Sequence, residues 1–282
     1  TPNKHLMIIK SFASDVRQHI PILIAAKIGG ATKDEFMNLC SAIERLVFSL
    51  KLSGAQWNVI NTKVPKWCTV LRTKKMSIDD FIKKVINPEV EDRKKDMSLN
   101  ITDTSRINGK LIKYLLEKIN EEVCLTAGEP ITKPTEFGRK NQHTIEHILA
   151  QDFSKKDIEP ASDNLDTQQL VNRIGNLTLL ERNNNAKLNN KTVEEKFKMK
   201  GYQTSNIILS KTIQFEGFSG EMGAKQKKAW SLFEFEVMKL KKVNQDEKVR
   251  YYWTEKHIEA REKIYFNVLS KIFQVKLKPV VE

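Results

Sequence analysis

Residues 143–149 read His-Thr-Ile-Glu-His-Ile-Leu, and residues 174–180 read Ile-Gly-Asn-Leu-Thr-Leu-Leu. The first stretch is short and rich in β-branched and apolar residues, which predicts a strand. In the second, Gly175 breaks a short helix expected over Thr167 to Arg173, and Asn176 to Leu180 reads as another strand. A polar loop, Ser154 to Asp166, separates the two. The run Asn183-Asn184-Asn185 then opens a helix through Lys187, Glu194, Glu195 and Phe197 towards Lys200, closed by Gly201. The order is strand, long loop, strand, helix.

Upstream of this unit the chain reads as helices. Thr32 is a candidate cap with Asp34 and Glu35 behind it, and Phe36, Leu39, Cys40, Ile43, Leu46, Val47 and Leu50 follow at helical spacing until Gly54. A second helix is expected from Ser77 to its stop at Pro88, and a third over Thr104 to Val123. The highly charged stretch Glu89 to Leu99 reads as a solvated loop. Composition changes near Thr126, where Gly and Pro punctuate the chain. This predicts a helical domain over residues 1–128 and a second domain over 129–282. Two more helices are expected downstream, Met222 to Lys242 and Thr254 to Phe273. The fold class is therefore mainly α, with one small strand-strand-helix core.

The 282 residues are 40% hydrophobic and 29% charged, which is ordinary for a chain that buries a core. The longest apolar candidate, Ile20 to Ile28, is too short for a bilayer and carries Lys27, so no membrane partner is expected. The chain opens Thr1-Pro2-Asn3-Lys4, without Met and without a secretory signal, so it reads as a fragment of a cytoplasmic protein. Cys40, Cys68 and Cys124 are widely spaced and suit core thiols in a reducing compartment. A net charge of +13 attracts polyanions without saying which.

The polar residues of the strand-strand-helix unit have a chemistry in common. A nuclease using one divalent cation needs a base to deprotonate water and oxygen ligands for a hard metal. A neutral imidazole serves as the base near physiological pH. A carboxylate and amide oxygens suit Mg²⁺, which keeps most of its waters. His147, Glu146, Asn176 and Asn185, with Asn189 and Asn190 close by, supply these groups. Neighbouring strand residues point to opposite faces, so Glu146 and His147 share a site only if the strand ends or twists there.

In these residues the chain resembles the C-terminal nuclease domain of GmrSD-type restriction enzymes, a ββα-metal or His-Asn-His (HNH) fold. The resemblance rests on Thr144-Ile145-Glu146-His147-Ile148-Leu149, Ile174-Gly175-Asn176-Leu177-Thr178-Leu179-Leu180, Asn185 and Asn190-Lys191, with Trp253-Thr254, Ile258 and Arg261 similar to the closing helix. It spans roughly Gln142 to Phe273. The region before it is similar to the segment that joins this nuclease to an upstream NTP-dependent sensor domain, a layout shared by SspE-like phage-defence effectors. The resemblance implies roles. His147 matches the general base, Glu146 the acidic metal contact, Asn176 the brace between the strands and Asn185 the metal-binding residue at the helix start. Either Asn189 or Asn190 lies near the remaining position. Ala150 stands where the family usually has Pro, which bears on loop shape. The implied activity is DNA nicking with a single Mg²⁺ or Mn²⁺, directed at phage or modified foreign double-stranded DNA in the bacterial cytoplasm.

Arg182, Lys187, Asn190, Lys191 and Lys196 flank the unit and are candidate DNA contacts; Arg139, Lys140, Lys225, Lys227 and Lys228 are further basic candidates. His143 is a candidate for helping the metal. Two rival readings remain at this stage. A basic module that binds nucleic acid without cutting it would need none of the constellation. His143-x-x-Glu146-His147 also spells an inverted zinc-peptidase motif, but that chemistry needs both histidines on one face of a helix.

Overall fold

A computed structural model describes residues 3–131, 143–152, 167–213, 241–245 and 248–280. These residues fall into two compact units, one built on residues 3–100 with 270–277, the other on the described residues of 101–269 with 278–280.

The first unit is helical: α1 (Lys4–Phe12), α2 (His19–Ile28), α3 (Lys33–Leu52), α4 (Asn58–Asn61), α5 (Val64–Arg72), α6 (Ile78–Phe81), a π-helical turn (Ile82–Ile86), α7 (Asn87–Glu91) and the start of α8 (Lys94–Thr102). Its central element is α3. Thr32 closes a capping box there: its hydroxyl accepts from the Glu35 N–H at 3.3 Å, and the Glu35 carboxylate accepts from the Thr32 N–H at 2.8 Å. The expected stripe is its buried face, with Leu39, Cys40, Ile43, Leu46, Val47 and Leu50 all inside.

Two expectations fail here. The charged stretch Glu89 to Leu99 is helical, because its charges meet partners: Glu89 is buried between Lys63 and Arg93, and Met97 fills the core. Pro88 does not stop the chain either. It sits in the first turn of α7, where a missing N–H costs nothing.

The second unit opens with a 3₁₀ turn, Thr104–Arg106, and α9 (Gly109–Ala127). α9 is capped by Asn108, whose side chain accepts from the Leu111 N–H at 3.1 Å, so the helix starts later than the apolar stripe suggested. It ends at Gly128 in the left-handed conformation. Next come β1 (His143–His147), α10 (Thr167–Asn172), β2 (Leu177–Glu181), α11 (Arg182–Leu188), α12 (Val193–Lys198), α13 (Ile208–Lys211), β3 (Lys241–Gln245), β4 (Lys248–Tyr252) and α14 (Glu255–Phe273). β1 pairs antiparallel with β2, and β3 with β4. The division between the units falls near residue 100, ahead of the expected boundary at 128, because the apolar stripe of α9 packs against β2 and α13. The helix expected over 183–200 is two helices. Asn189 adopts a positive φ of 41° and turns the chain, and Thr192 starts α12 with its own capping box to Glu195. The expected helix 222–242 and loop 154–166 lie outside the described residues, save that Lys241 and Lys242 begin β3.

α14 locks the second unit. The fully buried Arg261 donates to the carbonyls of Gly175 at 3.0 Å and Leu177 at 3.3 Å, and Arg173 forms a forked pair with Glu262. A Cβ at position 175 would stand 2.1 Å from the Ile258 carbonyl oxygen, so only glycine lets the helix approach. All three cysteines are free thiols. Among the described residues no helix is long and apolar enough to cross a membrane.

Candidate nuclease site at the end of the first strand

The register of β1 on β2 sets the site. His147 lies opposite Leu177 and Ile145 opposite Leu179, and the Ile148 N–H donates to the Asn176 carbonyl at 3.0 Å. Antiparallel pairs alternate between hydrogen-bonded and non-bonded positions. The bond at 148/176 therefore makes 146/178 and 144/180 the bonded pairs. The main-chain groups of Ile145 and His147 point away from β2, along the outer edge of β1.

Asn176 braces the junction. Its side chain is fully buried; the amide oxygen accepts from the Leu149 N–H at 2.8 Å, and the amide nitrogen donates to the carbonyls of Leu149 at 3.1 Å and Val171 at 3.0 Å. One side chain thus ties the exit of β1 to the end of α10, just ahead of β2.

Asn185 sits one turn into α11, which follows β2 without a linker. Its amide nitrogen donates to the Thr144 hydroxyl at 2.8 Å and to the Ile145 carbonyl at 2.9 Å. Those two acceptors fix which way the amide lies: nitrogen to the outer edge of β1, oxygen turned away from these two bonds. His147 is two residues further along the same edge, about 7 Å of extended chain.

His147 ends the strand and is partly exposed. Burial, seconded by the Lys196 ammonium, lowers its imidazole to about 4, so it is neutral at physiological pH and able to accept a proton. Glu146, its neighbour, points inward and is 3% exposed. Its carboxylate takes the Lys196 ammonium at 2.9 Å and the Tyr202 hydroxyl at 3.1 Å. Burial pushes this carboxyl up, while Lys196 and Tyr202 pull it back. The expectation that Glu146 holds the metal beside His147 is corrected by this geometry: pleating sends the two side chains apart, and the carboxylate is already satisfied.

Lys196 corrects a second expectation. It has no exposure at all, and its ammonium bonds the carbonyls of His147 at 2.5 Å and Ile148 at 3.2 Å, so it cannot reach a phosphate on the surface. His143 is likewise engaged, its Nδ1 2.9 Å from the buried carboxylate of Glu117 on α9. That contact occupies one ring nitrogen and orients the imidazole, while the strand conformation removes the helical face a zinc peptidase requires. Among the described residues no group of three His, Cys, Asp or Glu could hold a metal ion. Arg182, Lys187, Asn189 and Asn190 are exposed and Lys191 is half-buried. Arg139, Lys140, Lys225, Lys227 and Lys228 lie outside the described residues.

Three contributors escaped the sequence reading: Thr144, Tyr202 and Glu117. Thr144 has the composition of an ordinary strand residue, Tyr202 follows the glycine expected to close a helix, and nothing in the spacing around Glu117 singles it out. Each acts through a contact far along the chain.

No curated protein and no solved structure matches the chain. One family does, described as GmrSD restriction endonucleases, C-terminal domain, over residues 89–268. The match covers well over half of the sequence and takes in α9, all four strands, α11 and Arg261. The chain belongs to the C-terminal domain family of the GmrSD restriction endonucleases.

Proposed function

We propose that this chain is the DNA-cutting part of a restriction effector of the His-Asn-His type, with His147 as general base and Asn185 as the protein's principal hold on one divalent cation. The observation that carries the reading is the arrangement at the outer edge of β1. A neutral imidazole leaves the strand's last position, and an amide from the next helix is pinned by its nitrogen at Thr144 and Ile145, two residues away, so that its oxygen is not used in those bonds. The donor chemistry suits a hard cation. An amide oxygen with water makes an acceptable shell for Mg²⁺ or Mn²⁺, which takes few protein ligands and shares the rest with phosphate. Such an ion supplies Lewis acidity at the scissile phosphate.

In this reading His147 accepts a proton from the attacking water; burial and Lys196 keep it unprotonated at physiological pH and at the same time make it a weaker base than a solvated imidazole. Asn176 holds the junction between the strands rigid, so that base and amide keep their spacing. Arg182, Lys187, Asn190 and Lys191 lie on and just after α11, on the surface next to Asn185, and offer contacts to the DNA backbone. None carries a base-reading pattern, so binding falls with salt and shows little sequence preference. One such site cuts one strand per visit, which makes the product a nick. The biological setting implied by the family is defence against phage or modified DNA in a bacterial cytoplasm, with recognition supplied by an NTP-dependent sensor domain upstream.

The test is relaxation of supercoiled plasmid in Mg²⁺, in Mn²⁺ and in EDTA. Wild type nicks only with metal; His147→Ala and Asn185→Ala bind DNA at the same salt but do not nick. Full nicking by His147→Ala refutes the assignment of the base. Binding without any metal-dependent nicking by wild type marks a basic binding module instead.

A further inference from the structure

We propose that Lys196 is a positioning residue for His147: its buried ammonium gathers two consecutive main-chain carbonyls, and so fixes where β1 ends and in which direction the imidazole leaves it. The inference rests on the nuclease reading above.

In an extended strand successive residues, carbonyls included, face opposite ways. One ammonium can bond two successive carbonyls only where that alternation is broken. Lys196 bonds His147 O at 2.5 Å and Ile148 O at 3.2 Å, so the break lies between the candidate base and the next residue. A third contact, 2.9 Å to Glu146, fixes the residue before the base as well. Three consecutive residues, with His147 in the middle, thus converge on one cation. The cation itself is held firmly. α12 begins with a capping box, Thr192 to Glu195, and the Lys196 carbonyl accepts the Gly201 N–H at 3.2 Å as the helix closes. Tyr202, next in sequence, then donates to the same Glu146 oxygen that meets Lys196.

Burying an ammonium and a carboxylate carries a heavy desolvation penalty that their mutual attraction must offset. Covering a strand end needs no such pair; apolar packing and a neutral donor would serve. What the ammonium adds is short reach to several oxygens at once, aimed at the one segment whose geometry decides where the imidazole stands. A displacement of about 1 Å at such a point costs on the order of 100-fold in rate.

The experiment is steady-state nicking of supercoiled plasmid in Mg²⁺ by the 282-residue chain. The variants are wild type, His147→Ala, Glu146→Gln and the double variant Glu146→Gln/Lys196→Met. The double variant removes both ends of the buried pair and fills the lysine's volume, so no lone charge is stranded, and its melting temperature checks that it folds. We expect its kcat to fall at least about 100-fold below that of Glu146→Gln alone, with KM for plasmid within about twofold. If it melts below the assay temperature, Glu146→Gln/Lys196→Gln is measured in the same way, with the same loss expected. Equal kcat in the single and double variants overturns the inference, and so does a change confined to KM, the mark of a phosphate contact. A wild type that does not nick, or a His147→Ala that nicks fully, overturns the nuclease reading and this inference together. Nicking that needs His147 but is indifferent to Lys196 overturns this inference alone.

Discussion

Replacing Asn176 by alanine tests the scaffold separately from the chemistry. The amide is fully buried and makes three bonds, at 2.8, 3.1 and 3.0 Å, to the Leu149 N–H, the Leu149 carbonyl and the Val171 carbonyl. Each such bond contributes about 1 kcal/mol net, and a main-chain group left buried without a partner costs about 1–3 kcal/mol. Alanine removes all three bonds at once and strands groups on two segments, so Asn176→Ala loses about 4 kcal/mol. That is a large share of the roughly 5–15 kcal/mol that holds a domain together. With a urea slope of about 2 kcal/mol/M, the midpoint drops by about 2 M. The assay is urea unfolding followed by far-UV circular dichroism, paired with amide exchange at Ile148 and Leu149, which should lose protection before the rest of β1. Asn176→Asp separates the contributions: it keeps an acceptor for Leu149 N–H but loses both donations, and it sets a carboxylate against two carbonyls. It should be at least as unstable as alanine at pH 7. A loss below about 1 kcal/mol for Asn176→Ala refutes the reasoning, because the exit of β1 would then be held by something other than this amide.

Gly175→Ala sets a methyl 2.1 Å from the Ile258 carbonyl oxygen and 2.8 Å from the Glu262 side chain, so α14 must move off the turn that precedes β2. A loss of about 3 kcal/mol or more is expected in thermal unfolding, at the upper end of overpacking effects, and unchanged stability would mean that the helix does not pack this closely. The imidazole of His147, lowered from 6.5 to about 4 mainly by burial, makes stability depend on pH with a definite sign. The unfolded chain binds the proton more tightly than the folded one, so stability is complete above 6.5 and is lost as pH falls towards 4. Between pH 7 and 4.5 the wild type should lose roughly 2–3 kcal/mol more than His147→Gln, read from urea unfolding at the two pH values, and parallel losses would place the imidazole in water.

Much of the fold is written locally. Thr32 with Glu35 and Ser77 with Asp80 mark helix starts by composition, and each hydroxyl accepts the expected amide. β1 and β2 fall within two residues of the expected ends because β-branched runs bounded by turn residues have few alternatives. Failures come where a charge finds a partner that sequence cannot show. Residues 89–99 read as solvated because their charges had no evident partner; folded, Glu89 lies between Lys63, 26 residues away, and Arg93. The break between α11 and α12 is marked in the composition. Asn189 tolerates a positive φ, and Thr192 with Glu195 spells a second start, but an uninterrupted helical period outweighed both.

The site divides along the same line. Asn176 and Asn185 are legible because each bonds a segment that the motif itself contains: Asn176 the exit of β1 and the end of α10, Asn185 the edge at Thr144 and Ile145. Glu146 and Lys196 were misplaced because a charged side chain in sequence is read as facing water, metal or phosphate, and that is right for most charges. These two cancel each other inside the protein at 2.9 Å. The cancellation has a consequence for the chemistry. An ammonium satisfied by a carboxylate and two carbonyls adds little attraction for a polyanion, so on the proposed function that attraction falls to exposed cations such as Arg182 and Lys187. The same ammonium lies close enough to His147 to disfavour its protonation, adding to the larger effect of burial. A residue expected to hold the DNA backbone is instead an interior tie, joining Glu146 to the carbonyls of His147 and Ile148 where the first strand ends.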